Sequence, residues 1–277
     1  MRATTRKMIS IARSFEEALA ARPSKYVDAS QLSEALARKL AAAPAPAAIA
    51  AASMVTKKIP IPALGWDTSE NLSASHYAFL ASKGYTFGVR YVPLSGQSPT
   101  ASGVIQPAEL ANALASKIGV MFVQFSRSSN INATTGRADG MAAGTYVLST
   151  LKAPADVCLW ADMFPTTKSA TIDYLNAWYE GTIAAGMSSS SAGVYFEPGC
   201  PLTASERYSL INLHRYWATA ANDPARMVAS RGCELIQAWA SPQGQFFPEP
   251  GLVIDGDFAQ LDYLNSPTSQ PVGVYGA

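Results

Sequence analysis

The chain has 277 residues, with 21 Lys and Arg against 20 Asp and Glu, and a formal net charge of +1. No global field therefore selects nucleic acid or an anionic membrane surface as a partner, and the basic residues form no run after residue 13. At 48% hydrophobic and 15% charged residues, the composition fits a compact globular protein with a sizeable core, as one large domain or two small ones.

Three cysteines, Cys158, Cys200 and Cys233, are odd in number and lack C-x-x-C spacing, which argues against a disulfide framework. The two histidines, His76 and His214, have no partner at metal-ligand spacing, so neither a His-based metal site nor a cofactor is expected. No apolar stretch reaches the length of a membrane span. The opening MRATTRKMISIARSF has no continuous apolar stretch behind its basic residues, so no secretory signal is expected either.

Two helical patterns open the chain. The first covers roughly residues 8–21, with Ile11, Phe15, Ala18 and Leu19 on one face; the second runs from about Ser30 to Ala43, with Leu32, Leu36 and Leu40 four apart. Ser30 suits an N-cap, and Arg38 and Lys39 sit near the C-terminal end, where the helix dipole favours them. The stretch AAAPAPAAIAAA then reads as a semi-rigid linker. These features divide the chain into a helical arm over 1–45, an Ala/Pro-rich linker over 46–60 and a main domain over 61–277. The arm is either a docking element for a protein partner or a solvated tail.

Within the main domain, short apolar runs alternate with Ala-rich amphipathic segments. The runs are Leu64–Asp67, Phe87–Val92, Val120–Phe125, Val157–Phe164, Ala192–Glu197, Tyr216–Ala220, Leu235–Trp239 and Val253–Asp257. Helices are expected at Ala74–Lys83, Pro107–Lys117 and Thr171–Ala185. A ninth apolar run, Ala142–Leu148, suits a strand or a helix. Alternating strands and helices imply βα units and a largely parallel sheet, and the size is that of a TIM-like (β/α) barrel of class α/β.

Catalytic groups of such barrels lie at the C-terminal strand ends. Asp67 closes the first run, Arg90 and Tyr91 the second, Gln124 and Arg127 the third, Asp162 the fourth and Glu197 the fifth. Gln237 and Trp239 lie in the seventh, and Asp255 and Asp257 end the eighth. A ring of acids with aromatics and one Arg is the composition of a carbohydrate cleft, where acids contact hydroxyls and aromatic faces stack on sugar rings. Each residue also has a plain structural reading. Asp67 suits a helix N-cap, Arg90 an internal ion pair, Glu197 a turn before Pro198 and Gly199, and Trp160, Trp217 and Trp239 the core.

The ordered series LGWDTS, KGYTFGVRYV, IQPAELANALASKIGVMFVQFS, TTGRADGMAAGTYVLSTLKAP, VCLWADMF, SAGVYFEPG, ELIQAWA and VIDGDFAQLD resembles the glycoside-hydrolase-like barrel domain related to family-25 lysozymes. The resemblance spans most of residues 64–263 and implies five βα units followed by three strands, with a helix rather than a strand over roughly 138–152. It matches Asp67, Asp162, Asp255 and Asp257 to acidic positions of the family; Asp67, Asp162 and Asp257 are the catalytic candidates, and the strand ends offer Arg90, Tyr91, Gln124, Glu197, Gln237, Trp239 and Asp255 as substrate contacts. It further implies glycan or peptidoglycan as partner, in a cell-wall context.

One position departs from the family. The fourth-strand motif there reads acid, any residue, acid, whereas here Asp162 is followed two residues later by Phe164. The missing acid is the one expected to protonate the leaving group, and one carboxyl cannot be protonated acid and ionised base at once. The expectation is therefore a degenerate barrel that binds a glycan or serves as a structural component of a larger particle, such as a phage virion, with the arm as anchor. The competing expectation is an active, lysozyme-like hydrolase of peptidoglycan or another polysaccharide.

Overall fold

The structure is a computed structural model describing residues 54–163, 167–196, 202–203, 206, 210, 212–213, 215–219, 235–238, 254–259 and 270–277. The expected helical arm and most of the expected linker lie outside these residues. So do Phe164, Glu197 and Trp239.

Eight strands pair in a ring: β2 (Ala63–Thr68), β3 (Phe87–Val92), β4 (Gly119–Gln124), β5 (Leu159–Met163), β6 (Ala192–Phe196), β7 (Arg215–Thr219), β8 (Leu235–Ala238) and β9 (Asp255–Ala259). The pairings from β2 through β8 are parallel, and β4 also pairs with β5. The last strand, β9, closes the ring antiparallel to both β8 and β2. All eight apolar runs thus become strands of one barrel-like sheet. The exception to their expected layout is direction: the acids of the last run open β9 rather than close it. Because β9 runs backwards, they still lie at the rim where the parallel strands end.

Two strands have no counterpart among the expected runs. β1 (Met54–Lys58) pairs antiparallel with β10 (Val272–Gly276), and β10 joins β4 through Val274 and Val120. MVTKK falls within the stretch expected as linker, and PVGVYGA is short and interrupted by glycine, so local pattern marks neither. Their pairing partners are some 200 residues apart, and pairing rather than propensity makes them strands.

Four helices occur among the described residues. Helix α1 (Ala74–Ser82) starts at Ser73, whose hydroxyl accepts from the His76 amide in a capping box. Helix α2 (Pro107–Ala115) has Pro107 at its first turn, where a missing N–H costs nothing. Helix α3 (Ala133–Thr145) is capped by Asn132 and runs on into a π-helical turn, Tyr146–Thr150, so the ninth run is helical. Helix α4 (Lys168–Ala185) stops at Gly186, whose φ of 105° only glycine adopts without strain. No helix among the described residues is long and apolar enough to cross a membrane.

Strand alternation sorts the sheet into two buried layers. Ala63, Phe87, Val89, Met121, Val123, Trp160, Tyr195, Trp217 and Ala259 pack with Ile59 and Cys158 in one cluster, on alternate positions of successive strands. That cluster fills the inside of the curl. Their neighbours in sequence, including Trp66, Val120, Phe122, Leu159, Ala161, Val194 and Tyr216, pack outward against Tyr77, Leu80, Leu110, Tyr174 and Trp178 of the helices. Each large apolar side chain fully buried this way contributes about 1.5–3 kcal/mol. Helices α3 and α4 lie close enough that a Cβ at Gly140 would overlap the Trp178 carbonyl, and one at Gly181 the Arg137 carbonyl.

Candidate active site

Asp67 shares its strand face with Ala63, and Asp162 shares its face with Trp160, so both carboxylates face the inside of the curl near the rim. Asp257 shares its face with Ala259 in the same way. The β2–β9 register sets Asp67 opposite Asp255 and Gly65 opposite Asp257. Across β5, β6 and β7, Asp162 aligns with Tyr195, and Tyr195 with Trp217. Below the acids lies an aromatic floor: Tyr195 and Trp217 have ring centroids 4.4 Å apart, and Trp160 meets Trp217 edge-on at 6.2 Å. Tyr91, also on the inner face, packs against Phe125 at 4.5 Å.

Two of these acids act on each other: Asp67 and Asp257 are both buried on the inner face, near enough that Asp67 raises the Asp257 carboxyl. Trp217 Nε1 donates to Asp257 Oδ1 at 2.9 Å. Burial pushes the Asp257 carboxyl well above the ordinary carboxylate range, and Asp67 pushes it further; the Trp217 indole lowers it in part, and the Asp255 charge again raises it. As an ionised group, Asp257 Oδ2 would be buried with no donor to accept from. Asp255, half-buried at the start of β9, is raised by burial to about 6.

The structure separates the remaining expected contacts into two groups. Arg90 and Gln124 alternate with inner-face Val89 and Val123, so they point outward into the helix layer. Arg90 is fully buried; its Nε donates to Glu109 Oε1 at 2.7 Å and its Nη2 to the Glu70 carbonyl at 2.6 Å, while Nη1 donates to the Thr68 carbonyl. Gln124 donates from Nε2 to the carbonyls of Pro93 and Asp139, both at 2.8 Å, and accepts from Trp178 Nε1 at 2.6 Å. These two residues fasten helices and rim loops to the sheet. The Arg90 ion pair anticipated as a plain reading exists, although its partner is Glu109 rather than a rim acid. Gln237 aligns with Asp257 in the β8–β9 register.

Sequence reasoning missed three contributors. Trp217, taken singly, is a core residue; only the register reveals that its indole reaches an acid. Glu109 accepts from Tyr77 Oη at 2.9 Å as well as from Arg90. Asp139, fully buried, accepts from Arg127 Nε at 2.6 Å and Nη2 at 2.7 Å, from Tyr174 Oη at 2.8 Å and from the Ser95 amide at 3.0 Å. That cluster ties the loops after β3 and β4 to α3 and α4. Among the described residues, no group of three or more His, Cys, Asp or Glu side chains is placed to hold a metal ion.

No family model matches the chain, and no curated protein matches it. Solved structures do. The Tat-secreted protein Rv2525c of Mycobacterium tuberculosis, in complex with L-tartrate, is 13% identical over 76% of this chain and 98% of that one, with a TM-score of 0.53. A B. stearothermophilus protein is 14% identical over 73% of this chain and 97% of that one, with a TM-score of 0.51. A muramidase from Acremonium alcalophilum is 11% identical over 74% of this chain and 96% of that one, with a TM-score of 0.46. The first two likenesses establish a shared fold. They establish nothing about chemistry.

Proposed function

We propose that this chain is a lysozyme-related barrel that binds a cell-wall-type glycan at the rim of its strands and does not cleave it by two-carboxylate hydrolysis. The barrel is taken to have five βα units followed by three strands. The observation that carries the reading is the burial of Asp67 and Asp257 together. A hydrolytic pair stands about 5–9.5 Å apart with substrate or water between its members. Asp67 and Asp257 are both buried on the inner face, and Asp257, raised well above the ordinary carboxylate range by burial and by Asp67, is a poor base. Asp162 then stands with Phe164 where the family has its acid.

Three features support binding: the partly buried Tyr91 on the inner face, the carboxyl groups at the rim, and the ordered family-like motifs along the chain. The arm over 1–45 is the anchor by which the barrel joins a larger particle, such as a virion. The deciding experiment sediments full-length protein with insoluble peptidoglycan and runs a zymogram beside it. Retention without clearing, reduced in Asp162→Asn, supports the proposal; absence of retention removes it.

A second reading, active hydrolysis, is favoured by Asp255, whose carboxyl at about 6 is suited to donate a proton near neutrality. Clearing by the natural protein, lost in Asp162→Asn and in Asp255→Asn, would install that reading. For the anchor, deletion of residues 1–58 is expected to abolish incorporation into the particle; unchanged incorporation removes that role.

A further inference from the structure

A cavity of about 410 Å³ opens on the helix side of the sheet, between the loops that follow β2 and β3 and the first turns of α2. It lies at the same end of the barrel as the acids but in the outer layer, since its apolar wall includes Leu72 and Val104 of the outer core. Its volume lies in the range of about 300–1,000 Å³ typical of small-molecule sites, at the lower end. A single ring with one substituent suits it better than a chain.

Three amide side chains set its chemistry. Asn71 Oδ1 accepts from the Gly103 amide at 3.0 Å, which fixes the side chain and leaves Nδ2 without a partner among the described residues. Gln106 donates from Nε2 to the carbonyls of Pro99 at 2.8 Å and Val104 at 3.0 Å, which leaves Oε1 as an acceptor. The Asn112 amide, on the next turn of α2, has no partner among the described residues. The one acid in the wall, Glu109, already receives Arg90 and Tyr77. The cavity thus offers donors and acceptors beside an apolar patch, with its only charge already paired. An anion would meet no free cation there, and a cation would meet a neutralised carboxylate.

We infer that this cavity is a second ligand site, taking a neutral sugar unit that carries an amide, such as an N-acetylamino sugar. Its methyl group packs on Leu72 and Ala101; its C=O and N–H meet Asn71 Nδ2 and Gln106 Oε1, with Asn112 left for a ring hydroxyl. The inference rests on the glycan reading of the rim and adds to it a second saccharide contact, outside the ring of acids.

The test titrates the full-length protein with N-acetylglucosamine, with glucose, and with the tetramer of N-acetylglucosamine by calorimetry. Asn112→Trp fills the cavity. It is expected to weaken N-acetylglucosamine binding at least about tenfold. Glucose, without the amide, is expected to bind at least about tenfold more weakly than N-acetylglucosamine. Should Asn112→Trp lower the unfolding midpoint, Asn112→Ala is the second variant, with a several-fold loss expected. Unchanged N-acetylglucosamine affinity in a folded Asn112 variant, or equal binding of both sugars, overturns the inference. Tetramer binding that is lost in Asp162→Asn alone overturns the second site and leaves the rim reading standing. Monosaccharide binding sensitive to Asn112, beside tetramer binding indifferent to Asp162, does the reverse.

Discussion

Asp257 accepts from the Trp217 indole at 2.9 Å, so one indole N–H joins β9 to β7, and the buried Asp67 of β2 raises its carboxyl from the other side. The replacement of Asp257 by Asn keeps the indole contact, since the amide oxygen accepts from Trp217. Stability at pH 7 is expected to change by less than about 1 kcal/mol. The Asp257→Ala variant leaves a buried indole N–H unpaired, at a cost of about 1–3 kcal/mol. Denaturant unfolding of the two variants measures the difference; equal losses would mean that the indole contact contributes nothing.

The raised carboxyls set the pH dependence of stability. Asp255 has its carboxyl raised from 3.8 to about 6, and Asp257 is also raised well above 3.8. The native state therefore keeps protons that the unfolded chain gives up above about pH 4. A raised carboxyl contributes stability that is full below its unfolded value and is lost as pH rises through its folded value. The unfolding midpoint is expected to fall as pH rises from about 4 to 6, with a further decline where Asp257 titrates. In Asp255→Asn the part between about pH 4 and 6 disappears, a change of about 1 kcal/mol once solvent screening of this half-buried group is allowed for. A midpoint that rises steadily over that interval would contradict both assignments.

Arg90 was a natural candidate for ligand contact, and its burial makes a different outcome testable. With Glu109, Tyr77 and the carbonyls of Thr68 and Glu70 depending on it, Arg90→Ala is expected to cost about 3–5 kcal/mol. Glu109→Gln keeps the shape, loses the charge pairing and is expected to cost less. In the folded Glu109→Gln protein, retention on peptidoglycan is expected to match the natural protein. A selective loss of retention at unchanged unfolding midpoint would return Arg90 and Glu109 to the binding surface.

Strand and helix positions were legible because their signals are local. Phe87–Val92 is a strand over the same six residues that its apolar run marks, and Pro107 and Gly186 punctuate helices as their backbone constraints require. Side-chain direction was less legible, although the information is present. Once Val89 and Val123 are known to face inward, alternation turns Arg90 and Gln124 outward, but a run of consecutive apolar residues hides which face is which. The β1–β10 pairing and the reversed direction of β9 were not legible at all, because both depend on partners distant in sequence. The Asp67–Asp257 proximity belongs to this last kind.

The close passage of α3 over α4 gives a packing prediction whose sign opposes helix propensity. Gly140→Ala on propensity alone would stabilise an exposed helix by about 1 kcal/mol. Here the added methyl meets the Trp178 carbonyl, a backbone atom that cannot swing away. A net loss of about 1–3 kcal/mol is expected by thermal unfolding. A gain would show that the helices separate freely.

The final prediction concerns Phe164. The family-25 lysozymes that the sequence resembles carry an acid two positions after the residue that Asp162 matches. Phe164→Glu restores that acid while Asp162 keeps its carboxyl. The variant then holds two carboxyls that can divide the roles of acid and base. Release of dye from labelled peptidoglycan is expected to rise by about 10²-fold over the natural protein, the typical contribution of one well-placed general acid, and to vanish again in the Asp162→Asn double variant. If Phe164→Glu folds, binds peptidoglycan and releases no dye, restoring the acid is not sufficient for hydrolysis. The buried carboxyls of Asp67 and Asp257 would then be the first place to look.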